Sequence, residues 1–216
     1  MDITIINNIP FEELEQKIRA VPLLQKREDG SSVKVYQSAE ISFREVNPLE
    51  VNLTTFYLLE QNLQFQRELR DYLRKKNGID TLHLDQAYEL KNEKGEIWTI
   101  TPPIIEVTPR TVKFIPKPEE ISYPDQVTLQ IPVVNDGAHR VWMAKESNEK
   151  FMAIYISGAL AEYPFYAHPN EWSRVRIVET VPTKKEDKKM YSQPNCYGLY
   201  RDFGSLGCGS PRGTSK

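Results

Sequence analysis

The spacing of apolar and polar residues changes repeatedly between helix and strand periods along the chain, which predicts an α+β fold. The longest helical pattern runs from Leu53 to Lys76, with apolar side chains three and four residues apart and basic residues ahead of Gly78. Pro10 begins a shorter helical pattern, FEELEQKIRA. Strand patterns are predicted over residues 3–6, 33–36, 41–46, 97–100, 104–107, 112–115, 128–134, 151–156 and 172–178.

Proline dominates the middle of the chain. Seven prolines lie between Pro102 and Pro132, which excludes a long helix there. The segment instead predicts two strands, Ile104–Val107 and Val112–Ile115, joined by turns. Glu106 is then placed beside the strand that follows. Its carboxylate either lies in water on an edge strand or approaches a site on that neighbour.

The stretch TLQIPVVNDGAHRVWMA, residues 128–144, predicts a strand, a tight turn and the start of a helix. The first N–H groups of a helix lack intrahelical acceptors, and they lie at the positive end of the helix dipole. Such a junction is therefore a candidate anion site.

The residue types in the turn suit this chemistry. Gly137 permits a positive φ and close approach of a ligand, and Asp136 either caps the helix or holds a cation. His139 and Arg140 fall in the first helical turn, where Arg offers a fork of donors to phosphate and His donates a hydrogen bond or moves a proton. The alternative is an ordinary strand-to-helix turn with Asp136 as the cap and the His-Arg pair solvated.

The order of these residues resembles the phosphate-binding box of the ParB/sulfiredoxin superfamily. The resemblance is specific over about residues 131–144; residues 102–107 and 151–156 are similar to the strands on either side of that box. It implies a mixed sheet with flanking helices. Sulfiredoxins carry a catalytic Cys in the box and chromosome-partitioning ParB proteins a Glu-Arg-Arg string, and both are missing here. The D-G-x-H/T-R string of the free serine kinases is more similar.

What the resemblance implies about function follows from the matching positions. It implies a nucleotide partner, a nucleoside triphosphate or diphosphate with Mg²⁺, and either phosphoryl transfer or hydrolysis, or a binding module that has kept the fold without catalysis. Glu106 and His139 are the candidate bases, and Asp136 is both a catalytic and a metal-binding candidate. The candidate phosphate-binding residues are Asn135, Gly137, Ala138, His139 and Arg140.

Composition restricts the class of protein. The chain of 216 residues is 39% hydrophobic and 27% charged with a net charge of −2, which is typical of a soluble globular protein. No apolar run is long enough to span a membrane, and two cysteines argue against a disulfide scaffold, so a cytoplasmic location is expected. We predict an N-terminal α+β extension over residues 1–50, a ParB/sulfiredoxin-like domain over 51–180, and a basic tail over 181–216.

The C-terminal part differs from the rest in charge. Residues 174–216 carry nine Lys and Arg against four Asp and Glu, a net charge of +5, so residues 1–173 carry −7. Aromatic residues and glycines are interspersed there, as in segments that bind single-stranded nucleic acid. A tail that folds over an active site has the same composition, and so does one without a function. The aromatic density of YGLYRDF predicts that Met190–Phe203 docks on the domain and that the last ten residues or so are loose.

Overall fold

Helices are interspersed among strands in the computed structural model, which describes residues 2–113, 126–194 and 196–208. The α-helices of this part are α1 (Phe11–Arg19), α2 (Glu60–Asn77) and α3 (Ala138–Glu146). The strands are β1 (Ile3–Ile9), β2 (Pro22–Lys26), β3 (Ser32–Lys34), β4 (Glu40–Val46), β5 (Tyr57–Leu59), β6 (Ala87–Asn92), β7 (Ile97–Ile100), β8 (Ile104–Lys113), β9 (Gln126–Asp136), β10 (Phe151–Ser157) and β11 (Arg176–Val178). The predicted α+β class is confirmed.

A mixed sheet of four strands, in the order β4-β10-β8-β9, carries the candidate site. β10 pairs antiparallel with β4 and parallel with β8, and β8 pairs antiparallel with β9. Glu106 lies opposite Val133 in the β8–β9 ladder. The prediction that Glu106 stands on the strand beside the junction is therefore confirmed.

Helices cover both faces of this sheet. Successive side chains of a strand point to opposite faces, and the neighbours Ile104 and Ile105 accordingly belong to different buried clusters. Ile104 packs in the cluster that contains Leu14 of α1, and Ile105 in the cluster that contains Leu63 of α2 and Val141 of α3. This two-sided burial fixes the end of β9, and with it the start of α3.

Three sequence predictions of local structure need correction. The strand predicted over residues 172–178 is limited to Arg176–Val178, because Trp172–Arg174 form a short 3-10 helix. The helix predicted from Leu53 begins only at Glu60, because residues 57–59 form β5 and pair with β11. The two strands predicted on either side of Pro109 are one strand, β8, as far as Lys113. β10 pairs with β8 only over residues 104–106, so the missing N–H of Pro109 costs no hydrogen bond on that side. Residues 114 and 115 lie outside the described part.

The first fifty residues contribute strands to sheets that also contain later residues. β1 pairs with β6 in the sheet β1-β6-β7, and β4 pairs with β10 in the central sheet. Both ladders cross the boundary predicted at residue 50. The segment therefore supplies an edge strand to each of these sheets.

The C-terminal segment docks on the domain as predicted for Met190–Phe203. Leu199 and Phe203 are buried, and the chain is held along β2 by bonds from the Leu24 amide to the Tyr200 carbonyl and from the Asp202 amide to the Pro22 carbonyl. The expectation for the last ten residues falls mostly on residues 209–216, outside the described part. Within the described residues, no helix has the length and apolar character needed to cross a membrane.

Candidate anion-binding site

The end of β9 and the start of α3 form the predicted strand, turn and helix N-terminus. β9 ends at Asp136, Gly137 adopts a left-handed conformation with φ 84°, and α3 begins at Ala138. No side chain among the described residues caps the helix, and the amides of Arg140 and Val141 both donate to the Gly137 carbonyl. The amides of Ala138 and His139 have no acceptor within the described part of the chain, as an anion site requires.

Gly137 is tightly enclosed as well as left-handed. A Cβ at this position would lie 3.0 Å from the Cα of Pro103 and 3.0 Å from Nη2 of Arg140. The turn therefore needs glycine both for its φ and for its close packing against the residue before β8.

Replacing Gly137 with Ala is expected to lower the free energy of unfolding by about 1 to 3 kcal/mol, because Ala is strained at positive φ and meets its neighbours. Urea denaturation measures the loss. Gly30→Ala is the matched control, since Gly30 has φ 80° but nothing within 4 Å of a Cβ. A loss no larger than that of the control would contradict the packing argument.

Asp136 is the accessible acid of the junction. Its side chain is 36% exposed, and its Oδ2 lies 3.6 Å from Nη2 of Arg140. Among the described residues no group of three or more His, Cys, Asp or Glu side chains is placed to hold a metal. A single carboxylate is nevertheless a sufficient protein ligand for Mg²⁺ that arrives on phosphate groups. Asp136 therefore fits a nucleotide-borne ion better than a resident one.

Arg140 is buried, which differs from the expected exposed fork. Its side chain is 6% exposed, and Nη1 donates to the carbonyl oxygen of Thr101. Burial lowers the pKa of Arg140, while the nearby Asp136 acts in the opposite direction. The guanidinium thus supports the turn from within and contributes positive charge beneath it.

His139 is engaged through its ring nitrogen. Nε2 accepts a hydrogen bond from the Leu59 amide at 3.3 Å, so the proton of the neutral ring is on Nδ1. Burial, with a smaller effect of the Arg140 charge, lowers the pKa of His139 to about 4. At neutral pH the imidazole is therefore uncharged and joins α3 to the end of β5.

Glu106 is buried in an ion pair, so the alternative of an edge-strand carboxylate in water is wrong. Its side chain is 2% exposed; Oε1 lies 2.6 Å from Nη2 of Arg201, and Oε2 accepts from Nε of Arg201 at 3.0 Å. Tyr36 donates its hydroxyl to the same Oε2 at 2.5 Å. Burial raises the pKa of Tyr36, and the neighbouring charge of Glu106 raises it further. The Tyr36 hydroxyl therefore stays protonated. Both carboxylate oxygens of Glu106 are occupied.

Asn135 joins this buried network to the turn. Its Nδ2 donates to the Tyr36 hydroxyl at 2.8 Å and lies 3.3 Å from Oε2 of Glu106. Of the predicted phosphate-binding residues, Asn135 and Arg140 are therefore held from inside the protein. The accessible group of the junction is the carboxylate of Asp136.

Sequence reasoning missed several residues that surround the junction. Tyr36, Thr101 and Arg201 contact predicted residues directly, as described above. Cys208 lies one contact further out, with its Sγ 3.9 Å from Oγ1 of Thr101. Burial, with a smaller effect of Asp136, raises the pKa of Cys208 to about 12, so its thiol stays protonated at neutral pH. These residues come from distant parts of the chain, and no local motif marks them.

A separate cleft of about 270 Å³ is lined by Phe56, Arg174, Arg176, Glu186 and Asp187. It shares no residue with the junction. The guanidinium of Arg174 lies 4.9 Å from the centre of the Phe56 ring, so the aromatic face is already used within the protein. The cleft therefore adds nothing to the site predicted around Asp136.

Comparison with known families agrees with the resemblance seen in the sequence. The family model described as the ParB CE domain matches residues 13–177, which is more than half of the chain. The match extends from α1 to β11 and includes the junction of β9 and α3. No curated protein and no solved structure matches the chain significantly. The extent of the family match shows that this chain belongs to the ParB CE domain family.

Proposed function

We propose that the protein binds the phosphate groups of a nucleoside triphosphate or diphosphate at the N-terminus of α3. The observation that carries this proposal is the uncapped helix start behind the left-handed Gly137. Free amides at the positive end of a helix are suited to phosphate oxygens, and membership of a ParB-like family supports a phosphate-containing ligand. The buried guanidinium of Arg140 adds positive charge below the turn.

Asp136 would hold a Mg²⁺ ion that the nucleotide brings. A bound Mg²⁺ would neutralise charge on the phosphate oxygens. The side chain is partly exposed and adjoins the helix start, so one carboxylate and the phosphates supply ligands together. Its distance of 3.6 Å from Nη2 of Arg140 leaves it without a short ion pair to that residue.

The contacts of the two candidate bases favour binding over turnover. Nε2 of His139 accepts from the Leu59 amide, and both oxygens of Glu106 are bound by Arg201. A base must reach the proton that it removes. Phosphoryl transfer by this site therefore requires that one of these contacts opens, whereas binding requires no such change.

A nucleic-acid partner for the tail stays a separate prediction. Tyr200 is half-buried and stacks on Tyr166 with ring centres 4.0 Å apart, and Phe203 is buried, so two aromatic side chains of the tail pack against the rest of the protein. Tyr197 is 74% exposed, so its ring is open to a base. The structure thus reduces the predicted stacking surface to a small one.

Thermal denaturation with ATP, CTP and GTP, with and without Mg²⁺, tests the proposal. A nucleotide at a hundred times its dissociation constant should stabilise the wild type by about 2.7 kcal/mol. Asp136→Asn should lose the part that depends on Mg²⁺, and the control Glu93→Gln, an exposed acid in the turn between β6 and β7, should keep it. The proposal fails if none of the nucleotides stabilises the wild type. Phosphate release by the proteins that bind then separates an enzyme from a binding module.

A further inference from the structure

We propose that residues 196–208 are part of the anion site, with Arg201 as a positioning residue for the turn at Gly137. This inference rests on the proposed function for its consequence, but the positioning itself is independent of any ligand. The segment lies outside the residues that the family model matches. It is linked to the junction on both sides of Gly137 by two sets of contacts, one through Glu106 and one through residues 99–101.

The first contact reaches Asn135, two residues before Gly137. Arg201 donates two parallel hydrogen bonds of 2.6 and 3.0 Å to Glu106. Glu106 and the Tyr36 hydroxyl both accept hydrogen bonds from the side-chain amide of Asn135. A fork of two bonds fixes the direction of a carboxylate as well as its position. The orientation of Asn135 at the end of β9 therefore depends on Arg201.

Arg201 is itself rigidly held. Its side chain is fully buried, and Nη1 donates to the carbonyl of Leu199 at 2.6 Å. The same guanidinium donates to the carbonyls of Tyr163 and Pro164 and lies 5.1 Å from the centre of the Phe165 ring. Burial alone would lower the pKa of Arg201, but the charge of Glu106 raises it, so the guanidinium stays charged. Because the Arg201 guanidinium has this many partners, they hold it in one orientation.

The second contact reaches Arg140, three residues after Gly137. The amide of Thr99 donates to the Gly207 carbonyl at 2.9 Å, and Thr101, two residues on, accepts from the Arg140 guanidinium. Gly207 has φ 71°, and a Cβ there would lie 2.8 Å from Oγ1 of Thr99. The tail thus lies directly against β7, and Thr101, which supports Arg140, is the residue after that strand.

The consequence concerns the amides that would receive phosphate. Donors that are already oriented lose no freedom on binding, so a fixed turn favours the ligand. The exchange rates of the Arg140 and Val141 amides report how well the turn is held, because both donate to the Gly137 carbonyl. They can be measured without any nucleotide.

Arg70 provides a matched control for Arg201. Its Nε and Nη2 also bind one carboxylate, that of Asp80, at 2.7 and 2.9 Å, and its side chain is 10% exposed. The Leu82 amide donates to Asp80 and reports on that second site. Lys keeps the charge of Arg but cannot form the fork. The experiment is hydrogen exchange of Arg201→Lys, Arg70→Lys and Tyr36→Phe.

Arg201→Lys should speed exchange of the Arg140 and Val141 amides by about fivefold while sparing Leu82, and Arg70→Lys should do the reverse. Tyr36→Phe removes one hydroxyl at almost unchanged volume and should also speed the two turn amides, so it decides the matter if Arg201→Lys does not fold. The inference is overturned if the exchange rates of both turn amides stay within about twofold of the wild type in Tyr36→Phe and in any folded Arg201→Lys. It is also overturned if these variants speed exchange of the Leu82 amide equally. Failure of nucleotide binding would show in the wild type and leave these rates unaffected.

Discussion

Glu106→Gln is expected to lower the free energy of unfolding by about 3 to 5 kcal/mol, the cost of leaving a buried charge without its partner. Arg201 has a side chain that is fully buried, and Gln cannot neutralise it. The amide of Gln would also place donors against Tyr36 and Asn135, which already donate to Oε2. Urea denaturation measures this loss.

The double variant Glu106→Gln with Arg201→Met is the control for that loss. Replacing both members of the ion pair removes the unpaired charge of Arg201, so the double variant should be more stable than Glu106→Gln alone. A single variant that unfolds like the wild type would contradict a buried, ionised pair. Because of this loss of stability, phosphate release by Glu106→Gln should be compared with the wild type only under conditions where the variant is folded.

The stability of the protein is expected to fall by up to about 3 kcal/mol between pH 6.5 and pH 4 because of His139. Its pKa is lowered from an ordinary 6.5 to about 4 in the folded state, first by burial and then by the Arg140 charge. Between these two pH values His139 is therefore protonated in the unfolded chain but not in the folded protein. The stability that the neutral His139 contributes is complete above pH 6.5 and is lost as the pH falls through about 4.

His139→Gln isolates this effect, because Gln can accept from the Leu59 amide but does not titrate. Denaturation curves at several pH values should show a smaller pH dependence for the variant. His168, whose pKa burial also lowers, accounts for part of the slope that persists. Asp80, whose pKa is lowered to about 2, loses its contribution only below about pH 4. Equal slopes for the wild type and His139→Gln would contradict the buried, neutral imidazole.

The sequence predicted the chain path at the candidate site closely. The end of β9, the turn at Gly137 and the start of α3 all lie where residue patterns placed them. These features depend on neighbours within a few residues: β-branched residues favour a strand, glycine accepts positive φ, and an apolar spacing of three and four favours a helix. The start of α2 was missed because residues 57–59 pair with β11, more than a hundred positions later.

The side chains of the site depended on contacts that no local pattern contains. Arg140 and His139 could have faced solvent or the interior, and only the packing of α3 against Thr101 and Leu59 decided between these. Glu106 gained its partner from a residue 95 positions away. A sequence shows which residues can carry charge and where the backbone can turn. The tertiary structure alone decides which charges are buried together, because burial and pairing depend on where distant parts of the chain meet.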